Sequence, residues 1–233
     1  MQTTKRIINS FSHLFFPHVC VGCGSDLLNY DQLLCMHCLH DLPFTNFHLF
    51  ENNPVEKVFW GRTDIVSASS LLYFTKDSSL QNAMHQFKYK SKKEIGFYFG
   101  RMMGKSLMES NRFKNIDAII PLPLFISKEK KRGYNQSTIL SEGISDVIGE
   151  KVFTNVVIRS LATETQTKKN RIDRWINIEG KFELKNEEIL QNKHVLLVDD
   201  IITTGATLEA CAAILQNINN IQISIATLAY TLL

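Results

Sequence analysis

The feature that most constrains this chain is the segment VLLVDDIITTGATLEA at positions 195–210. An apolar run from Val195 to Val198 ends in two adjacent carboxylates, Asp199 and Asp200. Short apolar runs bounded by turn residues are typical of buried strands in parallel sheets. A stretch rich in threonine and glycine then leads into a helical pattern. The segment therefore predicts a strand, a tight turn and a helix in direct succession, the building unit of an α/β sheet.

The turn of this segment has the composition of a phosphate-binding loop, with small residues at Thr203, Thr204, Gly205, Ala206 and Thr207. Ligands of open α/β sheets bind outside the carboxyl ends of the strands. A helix N-terminus offers free N–H groups and the positive end of a dipole to an anion. Glycine lets the backbone approach that anion closely. The structural alternative is an ordinary strand, turn and helix with a threonine N-cap, but such a cap requires neither paired acids nor a glycine.

The acid pair needs its own explanation, because two carboxylates repel a phosphate. They fit the site if they accept hydrogen bonds from sugar hydroxyls, or if a magnesium ion lies between them and the anion. The whole segment resembles the signature of type I phosphoribosyltransferases, which bind phosphoribosyl pyrophosphate (PRPP) with magnesium. This resemblance implies that Asp199 and Asp200 act as catalytic residues holding the ribose 2′ and 3′ hydroxyls. It also implies that residues 203–207 cradle the 5′-phosphate.

A second segment, IDAIIPLPLFISKEKKRGYNQS at 116–137, agrees with this resemblance. It reads as a buried strand followed by Pro-Leu-Pro-Leu, a basic stretch and the start of a helix. In type I phosphoribosyltransferases a loop in this place binds pyrophosphate, which implies that role for Pro123, Leu124, Lys128 and Arg132. Basic side chains suit such a polyanion, although a solvated surface is the alternative. The combination with Arg-Gly-Tyr-Asn-Gln resembles the ComF family of competence and amidophosphoribosyltransferase-like proteins.

The ComF resemblance extends over nearly the whole chain. Phe87–Lys90 resembles a Leu-Lys-Phe element of the family, which implies a function for Lys88. Arg174 is the second basic residue implied by this comparison, and Lys169 departs from the leucine expected there. We expect residues 160–182 to form a lid that closes over the site and excludes water. The other residues at matching spacings are Gln166, Asn177, Gly180 and Phe182.

Four of the five cysteines form two CxxC pairs separated by eleven residues: Cys20, Cys23, Cys35 and Cys38. In a reducing compartment such a cluster predicts metal ligands rather than disulfides. Each pair can hold one side of a tetrahedral ion, so we expect a structural zinc with four thiolates and no catalytic water. A redox pair is the alternative. His37 and His40 are expected in the second shell or on the surface, and Cys211 in the core.

The remaining patterns define the domain organisation. Strand patterns at 64–76, 116–124, 152–160, 194–200 and 223–233 alternate with helical patterns, which predicts a parallel sheet flanked by helices. We assign residues 1–50 to an N-terminal helix and a zinc-ribbon-like module, and 51–233 to the phosphoribosyltransferase-like domain. Residues 1–19 read as an amphipathic helix rather than a signal peptide, and no apolar run is long enough to span a bilayer. We therefore expect a cytoplasmic protein.

Two functional hypotheses follow. The first is an enzyme that transfers phosphoribose from PRPP to an acceptor, which the sequence does not identify, with release of pyrophosphate. The second is a non-catalytic ComF-type module that binds single-stranded DNA, or proteins of DNA uptake and recombination, in natural transformation. The net charge of +3 is too small to indicate nucleic-acid binding by itself. Turnover of PRPP would favour the enzyme, and salt-sensitive DNA binding without turnover would favour the module.

Overall fold

The fold is that of a computed structural model, which describes residues 19–26, 28, 32–160 and 181–231. In these ranges the α-helices are α1 (Met36–His40), α2 (Pro54–Lys57), α3 (Ser79–Tyr89), α4 (Lys93–Met108), α5 (Ile126–Arg132), α6 (Gln136–Ile148) and α7 (Ala206–Leu215). The strands are β1 (Ser67–Phe74), β2 (Ala118–Pro121), β3 (Val157–Ser160), β4 (Lys181–Leu184), β5 (His194–Ile202) and β6 (Gln222–Thr231). Short 3₁₀ helices lie at Phe47–Leu49, Asn111–Phe113 and Glu187–Leu190.

The main sheet has four strands in the order β1-β6-β5-β2, and every neighbouring pair is parallel. Val195 of β5 lies opposite Ala118 of β2, and Leu197 lies opposite Ile225 of β6. This register brings the carboxyl ends of β2 and β5 together at one edge of the sheet. The predicted parallel sheet flanked by helices is confirmed.

Side chains of β5 alternate between two cores, as the period of a strand requires. Leu196 and Val198 pack with the residues of α3, α4 and α6, whereas Val195 and Leu197 pack with those of α7 on the other face. All four side chains are fully buried. The apolar run identified in the sequence is therefore apolar on both sides because helices cover both faces of the sheet.

Helices α4 and α6 cross closely because each carries a glycine at the crossing. A Cβ atom on Gly100 would lie 2.3 Å from the carbonyl oxygen of Leu140. A Cβ atom on Gly143 would lie 2.3 Å from the carbonyl oxygen of Phe97. This contact fixes α6, and with it the turn at the amino end of α6, against the sheet.

The cysteine segment packs directly on the main domain. Asn82 and Gln86 of α3 donate side-chain hydrogen bonds to the carbonyl oxygens of Gly22 and Val21, at 2.9 and 2.8 Å. Residues 43–45 continue from this segment along the outer edge of β1, where Phe44 forms an antiparallel bridge with Leu72. The four-cysteine segment and the sheet therefore share one hydrophobic core.

Two parts of the sequence prediction differ from the structure. The strand expected at 152–160 is divided, because Val152 makes only a single bridge to Ile119 and regular pairing starts at Val157. From there β3 pairs antiparallel with β4, a strand that the polar sequence before it did not indicate. These two strands form a separate small sheet rather than joining the parallel one.

Other predictions fall outside the described residues. They include the N-terminal helix up to residue 18, most of the expected lid, and the positions Gln166, Lys169, Arg174, Asn177 and Gly180. Among the residues that the structure does describe, no helix has the length and apolar character needed to cross a bilayer.

Candidate functional site

A cavity of about 180 Å³ lies at the carboxyl ends of β2 and β5. Parallel sheets bind their ligands at this edge. The lining residues come from several separate elements: Lys88, Leu122, Pro123, Leu124, Lys128, Arg132, Asn135, Gln136, Ser137, Arg159, Asp199, Asp200 and Thr207. The structure thus brings into one cavity residues of the acid pair, the threonine-glycine turn, the Pro-Leu loop and the basic stretch, which the sequence singled out separately.

The acid pair is held in place by short hydrogen bonds. Strand β5 continues through both carboxylates to Ile202, so the pair belongs to the strand rather than to the loop after it. The hydroxyl of Ser137 donates to Oδ1 of Asp199 at 2.9 Å, and the N–H of Asp200 donates to the same oxygen at 2.8 Å. Asp199 is therefore fixed from both α6 and its own strand.

Burial, and next the neighbouring charge of Asp200, raise the pKa of Asp199 to about 7. The hydrogen bonds from the Asp200 N–H and the Ser137 hydroxyl, together with the Lys88 ammonium, act in the opposite direction but do not outweigh these effects. Two carboxylates so placed favour a neighbouring cation or hydroxyl donor that would share the negative charge. The donor set thus fits a magnesium ion or the hydroxyl groups of a sugar, but not a phosphate in direct contact.

Lys88 supplies a cation to this pair. Its ammonium lies 2.6 Å from Oδ2 of Asp200, and both side chains are mostly buried. The lysine projects from the last turn of α3, which is long-range in sequence from β5. The functional role implied for Lys88 by the sequence resemblance is consistent with this position in the cavity.

The threonine-glycine turn lies where a phosphate loop is expected, but its glycine has a second role. Gly205 has φ +73°, and helix α7 begins at the next residue. A Cβ atom there would lie 2.4 Å from Cγ1 of Val58. Glycine is therefore needed for packing against α2 as well as for backbone conformation. Of the three threonines, Thr207 lines the cavity, while Thr203 and Thr204 are exposed.

Arg62 anchors this turn from outside, and the sequence analysis did not identify it. Its guanidinium donates to the carbonyl oxygen of Thr204 at 3.3 Å and to the carboxylate of Glu209 on α7. The arginine lies in a loop with no recognisable motif. Only its tertiary contact with the turn reveals its position.

The Pro-Leu loop is held by the amide of Asn135, which donates to the carbonyl oxygen of Leu122 at 2.9 Å. The side chain of Asn135 also caps α6 by accepting from the N–H of Ser137. The basic stretch that follows the loop is helical, forming α5, and ends at Gly133 in a left-handed conformation. A short helix thus presents Lys128 and Arg132 to the cavity, where an extended loop was expected.

Two lining residues were missed by the sequence analysis. Ser137 was read only as part of a helix start, yet it hydrogen-bonds the acid pair. Arg159 stacks on Phe125, with its guanidinium carbon 3.8 Å from the ring centroid, and also lies 5.1 Å from the ring of Phe182. A basic residue at the end of a strand next to a polar stretch was the available signal for Arg159.

The four cysteines form a separate centre whose geometry fits a metal ion. All four Sγ atoms lie within 4.8 Å of one another, and those of Cys23 and Cys35 are 3.7 Å apart. Tetrahedral zinc with Zn–S bonds near 2.3 Å requires about 3.8 Å between sulfurs. The backbone N–H of Cys35 donates to the sulfur of Cys20, and that of Cys38 donates to the sulfur of Cys35. Such donors stabilise thiolates over thiols.

The other residues near the metal centre are on the surface or belong to the core. His37 and His40 are exposed and both lie close to the carboxylate of Asp41, at 3.0 and 3.1 Å. Cys211 is fully buried in the core beneath α7, as expected.

Comparison with known proteins identifies the family. The model of the phosphoribosyl transferase domain matches residues 110–232, which span more than half of the chain. The chain belongs to this family. The match includes the Pro-Leu loop, the acid pair and the threonine-glycine turn, although it does not reach Lys88 or the cysteines.

Curated relatives bear the names that the ComF resemblance led us to expect. The chain is 27% identical to competence protein F of Haemophilus influenzae, with 93% of this chain and 92% of the relative covered. It is 29% identical to the DNA utilization protein YhgH of Escherichia coli K12, over 79% and 78% of the two chains. Competence protein ComFC of Bacillus subtilis is 28% identical over 60% of this chain and 54% of its own. The predicted ComF resemblance is confirmed.

Solved structures are similar only at a distance. The glutamine PRPP amidotransferase of B. subtilis matches with a TM-score of 0.40 at 15% identity, over 61% of this chain and 30% of that chain. A hypoxanthine phosphoribosyltransferase of Staphylococcus aureus matches with a TM-score of 0.37 at 16% identity, over 67% and 73%.

Proposed function

We propose that the cavity at the carboxyl ends of β2 and β5 binds PRPP with magnesium. The observation that carries this proposal is the convergence in one cavity of the acid pair, the amino end of α7, the Pro-Leu loop and three cations, Lys88, Lys128 and Arg132. A sugar that carries phosphate at one end and pyrophosphate at the other needs this combination of acceptors and anion sites. Neither half of the combination explains the other half by itself.

Each group has a role in this proposal. Asp199 and Asp200 would accept hydrogen bonds from the ribose hydroxyls, with Ser137 holding Asp199 in position. The backbone of residues 203–207 at the start of α7 would bind the 5′-phosphate. The Pro-Leu loop and the cations Lys128 and Arg132 would bind the pyrophosphate. Magnesium, when bound, would offset the negative charge that develops on the pyrophosphate as it leaves.

The chemistry proposed for this site is transfer of the phosphoribosyl group. The bond between the anomeric carbon and the pyrophosphate oxygen breaks, the bonding electrons leave with pyrophosphate, and a nucleophilic acceptor forms the new bond to the anomeric carbon. The sugar carries positive charge in the transition state, which the carboxylates of Asp199 and Asp200 would stabilise. Lys88 would move from Asp200 toward the pyrophosphate as charge accumulates there.

The first experiment is a calorimetric titration of the zinc-loaded chain with PRPP, with and without magnesium. Magnesium-dependent binding that disappears in the double variant Asp199→Ala, Asp200→Ala would support the proposal. The matched control is the double variant Asp26→Ala, Asp41→Ala, whose carboxylates lie near the cysteine centre and outside the cavity. A folded, zinc-loaded wild type that binds no PRPP would refute it.

A second function is supported by the names of the relatives and by one surface. Competence protein F and the DNA utilization protein are named for handling DNA. At the rim of the cavity, α5 exposes Lys128, Lys130 and Lys131. Basic side chains on a short helix can track the backbone of a single strand. In this role the chain would bind single-stranded DNA in natural transformation, with or without turnover of PRPP.

The DNA role is tested by fluorescence anisotropy with a labelled oligothymidine at several salt concentrations. Binding should weaken steeply with salt, and replacing Lys130 and Lys131 by Ala should reduce the slope of log K against log salt by about two. An unchanged slope would exclude α5 as the contact surface.

The cysteine centre is proposed to hold structural zinc. Four thiolates complete the coordination sphere, so the ion would stabilise the segment rather than bind substrate. Reduced thiolates, magnesium and PRPP together fit the cytoplasm, where we propose that the protein acts.

A further inference from the structure

A second pocket lies away from the PRPP cavity, at the outer edge of β1. Its volume is about 440 Å³, within the range of roughly 300–1,000 Å³ that is typical of small-molecule sites. Residues 43–46 form one wall, because they run along β1 with Thr45 donating to the carbonyl oxygen of Leu71 at 3.0 Å. The carboxyl half of α4 forms the opposite wall.

The walls of this pocket are largely apolar and aromatic. Phe44 and Tyr98 line it from opposite sides, with Leu71 and Met102 between them. Leu71 is buried, whereas 42% of Phe44 remains exposed. Met102 lies beside the buried face of α4 but contributes its side chain to the pocket. Surfaces of this kind suit a flat ring, because aromatic side chains stack favourably on one.

A buried histidine provides the polar group in the pocket. The side chain of His48 is only 7% exposed. Its Nδ1 atom is 2.8 Å from the hydroxyl of Ser106, and the hydroxyl of Ser110 donates to its carbonyl oxygen. These two serines of α4 and the residues after it hold both the ring and its backbone in place. The pocket therefore contains an imidazole whose orientation is set before any ligand arrives.

The second ring nitrogen of His48 has no hydrogen-bond partner among the residues that the structure describes. The carboxylate of Glu109 lies 3.7 Å from this Nε2 atom, too far for a hydrogen bond but close enough to favour a proton there. Burial lowers the pKa of His48, so the ring is neutral at neutral pH. We assign the neutral tautomer with hydrogen on Nε2. A buried donor without an acceptor is unfavourable, which points to an acceptor from a ligand.

Positive charge lies at the mouth of the pocket. Lys105 is exposed, lines the pocket, and has no ion-pair partner in the described part of the chain. The nearby Arg101 is already engaged, with its Nε 3.1 Å from the carboxylate of Asp146. Lys105 is thus the cation available to an anionic group on a bound ring.

Ser106, His48 and Glu109 have the composition of a hydrolytic triad, but the backbone excludes that chemistry. Ser106 lies within helix α4, where the neighbouring N–H groups are already bonded to helical carbonyls. A tetrahedral oxyanion needs free N–H donors next to the nucleophile. The three residues therefore favour binding over acyl transfer.

We propose that this pocket binds a heteroaromatic anion of nucleotide size. Its ring would stack between Phe44 and Tyr98, a ring acceptor would accept from Nε2 of His48, and its phosphate would contact Lys105. This site is independent of the PRPP cavity, since the two cavities share no lining residue.

The test uses the full zinc-loaded chain with ¹⁵N-labelled histidine. Adenosine, guanosine, cytidine and uridine 5′-monophosphates are titrated separately while the imidazole resonance of His48 is followed by NMR. At least one nucleotide should shift the Nε2 resonance saturably. The same nucleoside without phosphate should bind about fivefold or more weakly, because it lacks the contact to Lys105. Ribose 5-phosphate, which has no ring, should leave the resonance unchanged.

Variants place the response in the pocket. Met102→Trp fills the pocket and should abolish the shift, whereas Met108→Trp, on an exposed position of the same helix, should not. Lys105→Ala should weaken binding about fivefold, and Lys185→Ala should not. Nucleotides bound at the phosphate loop would leave His48 unaffected, so this result does not depend on PRPP binding. No shift with any nucleotide, or a shift that persists in a folded Met102→Trp chain, would overturn the proposal.

Discussion

The ammonium of Lys88 lies 2.6 Å from a carboxylate oxygen of Asp200, although one residue ends α3 and the other lies in β5. About one sixth of each side chain is exposed, 17% for Lys88 and 14% for Asp200. The pair is therefore largely desolvated, and each charge depends on the other. This contact joins the helix that supports the cysteine segment to the acid pair of the cavity.

Replacing Lys88 by Met should weaken magnesium-dependent PRPP binding by roughly 10- to 100-fold, the effect of losing a charge-assisted hydrogen bond. It should also lower the free energy of unfolding by about 1–3 kcal/mol, because Asp200 loses its buried partner. Calorimetry and urea denaturation measure the two effects. Lys90→Met, two residues further along and exposed, is the control and should change neither. Equal PRPP affinity in both variants would remove Lys88 from the site.

Asp199→Asn should stabilise the fold at pH 8 while weakening PRPP binding. The pKa of Asp199 is raised in the folded chain to about 7, from an ordinary value of 3.8. The folded state therefore holds the proton more tightly than the unfolded state, and wild-type stability falls as pH rises between these two values. The variant lacks this loss, so its advantage should be on the order of 2 kcal/mol at pH 8 and should vanish near pH 3.

Urea denaturation at a series of pH values measures this difference. Asp64→Asn serves as the control, since Asp64 is exposed and lies outside the PRPP cavity. A stability difference between wild type and Asp199→Asn that stays constant with pH would contradict the raised pKa.

Gly205→Ala should destabilise the chain by about 2–4 kcal/mol, since it adds both a left-handed strain and a clash. The new Cβ atom would lie 2.4 Å from Cγ1 of Val58. Gly149→Ala is the matched control, because Gly149 has φ +88° with nothing within 4 Å of its Cβ position. It should cost only about 1 kcal/mol.

The steric part of the Gly205 effect can be isolated by a double-mutant cycle. Val58→Ala removes the atom that clashes, so it should recover part of the stability lost in Gly205→Ala. Thermal or urea unfolding of the four chains measures the coupling. Additive effects would mean that backbone conformation alone requires this glycine.

One zinc per chain should be found by metal analysis, and a chelator should lower the Tm by roughly 10 °C or more. The reason is that the cysteine segment shares its core with α3 and the sheet. PRPP affinity should also fall a few-fold, since Asn82 and Gln86 link this segment to the helix that carries Lys88. Cys38→Ser should lose zinc, whereas Cys211→Ser, buried elsewhere, should retain it. A metal-free wild type with an unchanged Tm would contradict a structural zinc.

The sequence predicted those parts of the site in which neighbouring residues act together. The strand, acid pair and turn of residues 195–207 are consecutive, so periodicity and small-residue chemistry were enough to place them. The same holds for the two CxxC pairs, because each pair is local and only their approach is tertiary. The apolar strands within the parallel sheet were found for the same reason.

What the tertiary structure decided depends on contacts between distant segments, which no local pattern encodes. The sequence marks Lys88 as basic but does not pair it with Asp200, and neither Arg62 at Thr204 nor Val58 against Gly205 has a motif. The antiparallel pairing of β3 with β4 was also missed, since short strands are recognised by their partners rather than by their own composition. Residue chemistry thus determined which groups are available, and strand register and helix packing determined which of them meet.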